Sequence, residues 1–177
     1  MHSDFKSCLY NYAARYYREV DTALAWAGLK SLYLGSRFCD YNPQVVAASA
    51  INCDVVSFNF YRTVDRIDWE YLASIPKSVM FSEFSFGAFY NGTFGGPAEM
   101  VSDKEREYEL YEFLKKAART PNVVGALWYC YTDQPITGRY TDGENAALGL
   151  VDVTDNPHWD TVDGFRNFAK NMYTYRG

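Results

Sequence analysis

The chain has 177 residues, a net charge of −5 and an aromatic share of 18%. That length suffices for one domain burying roughly 70% of its unfolded surface. With no block of Lys or Arg, the acidic balance argues against nucleic acid or a membrane surface as a partner, and no apolar run approaches the roughly 20 residues of a membrane span.

The N-terminus, Met1-His-Ser-Asp-Phe-Lys, lacks the basic-then-apolar pattern of a signal peptide. Four scattered cysteines (Cys8, Cys39, Cys53, Cys130) show neither CxxC spacing nor His partners, so no metal site or cofactor is expected. They read as buried free thiols, with a Cys39–Cys130 bridge as the alternative.

Residues 4–30 are predicted to form a helix, with Phe5, Leu9, Tyr12, Tyr16, Val20 and Leu24 on its apolar face and Gly28 as its stop. Ser31 to Phe38 reads as a strand ending in the polar tip Gly35-Ser-Arg37. Asn42-Pro43 caps a short helix through Ile51. Asp54 to Tyr61 is a second strand, with Asn59 and Tyr61 at its far end. A brief helix over Ile67–Ala73 follows.

Ser78 to Gly87 is a third strand carrying a lone carboxylate, Glu83, near its C-terminal end. Burying a charge in an aromatic run is costly unless it is paired. The segment thus fits either a structural ion pair or a catalytic group. The loop from Gly87 to Pro97, with four glycines and three aromatics, reads as functional. Ser102-Asp-Lys-Glu105 is a capping box opening a helix that carries Tyr108, Tyr111, Leu114 and Ala118 and stops near Thr120-Pro121. Val123 to Tyr131 is a fourth strand, with Trp128 and then Asp133 and Gln134 at its tip, followed by a Gly-rich excursion from Gly138 to Leu150. A stripe of Trp159, Val162, Phe165, Phe168, Ala169 and Met172 marks the last helix.

Strands that alternate with helical crossovers must be parallel. One α/β domain over residues 1–177 is expected, with Arg37, Asn59, Tyr61, Glu83, Trp128 and Asp133 at C-terminal strand ends. A (β/α) barrel and a doubly wound sheet both place binding residues there.

The segments Leu32-Tyr-Leu-Gly-Ser-Arg-Phe38, Asp54-Val-Val-Ser-Phe-Asn-Phe-Tyr61, Val79-Met-Phe-Ser-Glu-Phe-Ser-Phe-Gly-Ala88 and Trp128-Tyr-Cys-Tyr-Thr-Asp-Gln-Pro135 resemble the β-agarases of glycoside hydrolase family 50. Thr137 to Asn145 and Leu148 to Asp152 share the likeness. The resemblance covers essentially the whole chain and implies the C-terminal half, strands five to eight, of a (β/α)8 TIM barrel. It implies Glu83 as the nucleophile of a retaining glycosidase, Tyr61 as its hydrogen-bond donor and Trp128 as a sugar-stacking floor. Asn59, Arg37, Asp133 and Gln134 are hydroxyl binders by position.

The resemblance further implies a galactan or agaro-oligosaccharide substrate and a secreted or periplasmic location. Retaining enzymes need two carboxylates, and the family's acid/base follows the fourth strand, which would precede Met1. A homodimer or an N-terminal half-barrel is therefore an expected partner. The competing reading is a non-catalytic homologue that binds carbohydrate. Duller roles stand beside these: Arg37 pairing with Asp54, Tyr61 and Trp128 as core aromatics, Asp142 and Glu144 as solvated loop charges rather than oxygen ligands of a cation, and His2 and His158 with no role.

Overall fold

A computed structural model describes residues 2–88, 96 and 98–176. Its elements in chain order are α1 (His2–Trp26), β1 (Arg37–Phe38), α2 (Pro43–Asn52), β2 (Val56–Phe60), a 3-10 turn (Val64–Arg66), α3 (Trp69–Ser74), β3 (Val79–Phe84), β4 (Gly87–Ala88), β5 (Glu99–Met100), α4 (Asp103–Arg119), β6 (Val123–Trp128) and α5 (Trp159–Tyr175). The main sheet has the order β1-β2-β3-β6, and β4 pairs with β5 in a separate two-stranded sheet.

The main sheet is parallel. Arg37 is in register with Ser57 and Phe38 with Phe58. The starts of β2 and β3 meet through the Val56 amide and Ser78 carbonyl, those of β3 and β6 through the Val79 amide and Asn122 carbonyl. At the far end the Tyr129 amide donates to the Phe84 carbonyl. The α/β alternation expected from the sequence is therefore present. The functional loop predicted after Gly87 falls largely on residues 89–95 and 97, outside the described residues.

Two compact units divide the chain: Met1–Asn59, Trp69–Ser82 and Asn122–Gly125 form the first; Phe60–Asp68, Glu83–Pro121 and Ala126–Gly177 form the second. In the first, α1 packs on α2. The contact face differs from the predicted one. Ala13, Ala14 and Tyr17 are buried, whereas Phe5, Tyr12 and Tyr16 are 75%, 77% and 57% exposed. Small alanines let two helices approach closely, and the Tyr17 hydroxyl is satisfied by Ser36 Oγ at 2.9 Å.

The first strand is also shorter than predicted. Gly35 has φ +62°, and a Cβ there would lie 2.7 Å from Cys53 Sγ, so the chain turns out of strand geometry before Arg37. Side chains complete the pairing instead: Asp54 Oδ2 accepts from the Tyr33 amide at 2.8 Å, and Ser57 Oγ donates to the Ser36 carbonyl at 3.1 Å. Asn122 Nδ2 anchors α3 by donating to the Leu72 and Ile75 carbonyls at 2.8 and 2.9 Å.

In the second unit, Ser102 caps α4 as expected, its Oγ accepting from the Glu105 amide at 3.2 Å while Glu105 Oε2 accepts from Val101 at 2.7 Å. The buried face of α4 is Arg106, Leu110, Phe113, Leu114 and Ala117, and Tyr108 is exposed. Gly164 of α5 sits where a Cβ would press Leu110 at 3.1 Å, so the two helices touch closely there. None of the four cysteines forms a disulfide. Cys8 and Cys39 are exposed, contrary to the buried thiols expected, and only Cys53 is buried.

Candidate active site

The end of β3 brings Glu83 to the hydroxyl of Tyr61, which donates to Glu83 Oε2. Both belong to the second unit and both are half-buried. A carboxylate that accepts a hydrogen bond is stabilised in its ionised form, the form that can act as a nucleophile or base. Beside Tyr61 stands a second ring, Tyr129, edge-on at 6.2 Å. The Tyr129 hydroxyl in turn accepts from Arg139 Nη1 at 2.6 Å.

Trp128, expected from the resemblance as a stacking floor, stands in a cluster of rings. Its ring contacts Phe84, Phe86 and Phe165 at centroid separations of 5.3, 6.1 and 5.6 Å, and the Arg106 guanidinium lies 5.5 Å from its centroid. Nε1 donates to the Leu148 carbonyl at 3.0 Å. The Trp128 side chain is half-buried, and the ring edge-on to Tyr61 is that of Tyr129. The sequence reading missed Tyr129 because the adjacent tryptophan was the larger ring at the strand end.

Arg106 explains how that core tolerates a charge. The side chain is fully buried, with Nε donating to the Phe86 carbonyl at 2.8 Å and Nη2 to the Gly149 carbonyl at 2.9 Å. It thereby ties the segment following Glu83 to the excursion following β6. Buried charges persist only when paired or hydrogen-bonded. Nothing in the helix periodicity marked this arginine as internal.

Asp133 and Gln134 both make hydrogen bonds to the excursion that follows β6, and both line a pocket with Asp152 and His158. Asp133 Oδ1 accepts from the Gly149 amide at 2.6 Å and Oδ2 lies 2.8 Å from His158 Nε2, with side-chain exposures of 9% for the aspartate and 14% for the histidine. His158, assigned no role from sequence, thus anchors the start of α5 across 25 residues. Gln134 is buried, and its Oε1 accepts from the Ala146 amide at 2.7 Å. Both side chains fold the excursion.

Within the excursion, Asp142 and Glu144 are not merely solvated. Arg139 makes a bidentate contact to Asp142, at 2.6 and 2.7 Å, and pairs with Glu144. The hydrogen bonds to Asp142 hold the guanidinium pKa above its ordinary value, and the Arg139 contact in turn lowers that of Asp142.

Arg37 and Asn59 belong to the first unit. Arg37 is exposed on β1, and Asp54, its alternative partner, is occupied by the Tyr33 amide. Asn59 Oδ1 accepts from Ser82 Oγ at 2.7 Å, joining the ends of β2 and β3 just before Tyr61 and Glu83 in sequence. Among the described residues, no cluster of three or more His, Cys, Asp or Glu is arranged to hold a metal ion. No described helix is long and apolar enough to cross a membrane.

No protein-family model matches the chain. It is 37% identical to β-agarase A of Vibrio sp. (strain JT0107) over 98% of this chain and 18% of that protein. It is 33% identical to β-agarase B of the same strain over 99% of this chain and 19% of that protein. It superposes on a solved exo-β-agarase with a TM-score of 0.90 at 35% identity, covering 99% of this chain and 24% of the other. A second solved agarase gives a TM-score of 0.90 at 36% identity over 98% of this chain and 25% of the other. A more distant neighbour, a Faecalibacterium prausnitzii β-glucuronidase, shares the fold at a TM-score of 0.55 and 16% identity. The relatives of this chain over essentially its full length are β-agarases of family 50, and the chain spans about a fifth of the length of the curated ones it matches.

Proposed function

We propose that this chain supplies the nucleophile-bearing C-terminal half, strands five to eight, of a (β/α)8 glycosidase barrel acting on β-galactosidic bonds of agarose-type polysaccharide. The observation that carries the reading is the Tyr61–Glu83 hydrogen bond at the end of a parallel strand, in a chain whose relatives are β-agarases. The half-barrel reading is supported by apolar residues left exposed on β6 (Val124, Leu127) and on α1 (Phe5, Tyr12, Tyr16). These are residues that further strands and helices would cover.

In the proposed double displacement, a Glu83 carboxylate oxygen attacks the anomeric carbon. The bond from that carbon to the leaving oxygen breaks, and an acid/base carboxyl outside this chain protonates the departing oxygen. Water, deprotonated by the same carboxylate, then displaces Glu83 and restores the original anomeric configuration. The Tyr61 hydroxyl keeps Glu83 ionised before attack and orients the oxygen that attacks. Tyr129, standing against Tyr61, offers the ring on which the reacting galactose rests. Asn59 accepts from Ser82, the residue before Glu83, and Arg37, Asp133 and Gln134 are hydroxyl binders by their positions at strand ends in the sequence.

A fluorinated galactoside with an activated leaving group tests this directly, because such a leaving group departs without acid assistance. A covalent adduct mapped by peptide mass spectrometry to Glu83 is expected. Absence of an adduct at full occupancy of the probe, or an adduct on another carboxylate, would sink the assignment.

A further inference from the structure

The segment Thr137–Asn145 is polar and Gly-rich, yet several of its residues are held by hydrogen bonds. The Arg139 amide donates to the Glu144 carbonyl at 2.9 Å and the Gly143 amide to the Arg139 carbonyl at 2.8 Å. Asn145 Nδ2 donates to the Ile136 carbonyl at 3.1 Å. Gly138 and Gly143 have φ of +84° and +75°, and a Cβ on Gly138 would lie 2.5 Å from the Gly143 carbonyl oxygen, so this tight crossing admits only glycine at 138. Beneath the loop, the Arg139 guanidinium is held by Asp142 and Glu144 on one side and donates to the Tyr129 hydroxyl on the other. At its tip Tyr140 is 104% exposed.

A singly exposed aromatic needs no explanation by itself. What distinguishes Tyr140 is its mounting. The neighbouring residue, Arg139, is bonded to the ring that stands against Tyr61, and Tyr61 is bonded to Glu83. Holding a long arginine side chain in one geometry costs rotamer entropy. Here that geometry links the loop to the Glu83 site through Tyr129 and Tyr61.

We propose that the loop is a preformed rim of the substrate cleft, with Tyr140 as a stacking residue for a sugar unit beyond the one that reacts, and Arg139 as the positioning residue that fixes Tyr129 and the loop together. This inference rests on the reading of the Glu83 site as a glycosidase centre. The flat C–H face of a galactopyranose suits a Tyr ring with a polar tip. The loop therefore recognises chain length rather than the reacting residue, and its ligand is a neutral agaro-oligosaccharide longer than a disaccharide.

The test is isothermal titration of the full chain with agarose-derived di-, tetra- and hexasaccharides. Tyr140→Ala alters a residue with no packing role, so the fold is retained. It is expected to weaken hexasaccharide binding by about 3- to 10-fold and leave the disaccharide unchanged, with Tyr140→Trp restoring or exceeding wild-type affinity. Arg139→Gln is expected to weaken all three ligands, because it frees Tyr129 as well as the loop. Wild-type affinity that rises with length but is untouched by Tyr140→Ala overturns this proposal alone. Failure of the wild-type chain to bind any of the three overturns both it and the glycosidase reading.

Discussion

A tyrosine hydroxyl donating to a carboxylate does two things that a solvent molecule cannot: it is always present, and it points one oxygen. If Glu83 is the nucleophile, losing that donor weakens the transition state more than substrate binding. A hydrogen bond to a charged group contributes about 1.5–3 kcal/mol, which corresponds to roughly 10- to 150-fold in rate. Tyr61→Phe is therefore expected to lower the rate of glycosylation by an activated galactoside within that range, with KM nearly unchanged and the circular dichroism spectrum intact. A loss confined to KM would assign Tyr61 to binding instead. Asp152 illustrates a carboxylate with a structural task. Its pKa is lowered to about 2 by the Asn156 amide, then by the Thr154 hydroxyl and amide, with contacts of 3.0, 2.8 and 2.7 Å. A depressed acid stabilises the fold above its unfolded pKa of about 3.9, and that contribution disappears as pH falls toward 2. Melting temperatures measured between pH 4 and 2 should fall less steeply in Asp152→Asn than in the wild type, and parallel slopes would refute the assignment.

At the scale of elements, the second unit depends on how α4 is started and what it buries. Removing the Ser102 cap leaves the Glu105 amide without its side-chain acceptor, so Ser102→Ala should cost about 1 kcal/mol and lower the melting temperature by roughly 2–4 °C. Arg106 carries more. Arg106→Lys keeps the charge but loses the planar fork that reaches both the Phe86 and Gly149 carbonyls. Leaving one buried acceptor unsatisfied costs about 1–3 kcal/mol. The expected outcome is a larger drop in melting temperature than for Ser102→Ala, with a shift in tryptophan emission because the planar guanidinium no longer lies over the Trp128 ring. An unchanged emission maximum and melting temperature would show the fork to be dispensable. The helices and the four strands of the main sheet were legible in the sequence, since apolar strand runs, Asn42-Pro43 and the Ser102 capping box are local signals. But β1 is shorter than its apolar run, and the two-residue strands β4 and β5 carry no such signal. The faces were not. On α1 the aromatic row looked like a core stripe, whereas the contact with α2 selects the small Ala13 and Ala14. Arg106 sat in what reads as a charged helix face, and only packing reveals it as internal. The Asp133–His158 contact joins residues too far apart in sequence for any motif to report. The Tyr61–Glu83 pair was expected from the family resemblance, and it lies where two strand ends bring the residues together.

For the molecule as a whole, the relevant quantity is the apolar surface that the described chain leaves open. Val124 and Leu127 face outward on β6, the last strand in the sheet order, and Phe5, Tyr12 and Tyr16 on α1 are more than half exposed. A strand at the edge of a sheet beside exposed apolar side chains is a template for association. A cover of typical size would bury about 800 Å² on each partner. Under the half-barrel proposal, the natural cover is a polypeptide carrying the first four strands and the acid/base carboxylate. The purified chain should then sediment as a concentration-dependent assembly. Adding the corresponding N-terminal segment of a family 50 agarase should convert it to a one-to-one complex and raise turnover of an unactivated agaro-oligosaccharide by the 10²–10⁴-fold typical of acid/base assistance. Substituting Leu127→Lys should abolish the complex while leaving the Glu83 adduct of an activated probe intact, since that reaction needs no acid. A well-folded, soluble monomer at all concentrations, indifferent to the added segment, would remove the half-barrel reading and leave the Tyr61–Glu83 site to be explained within this chain alone.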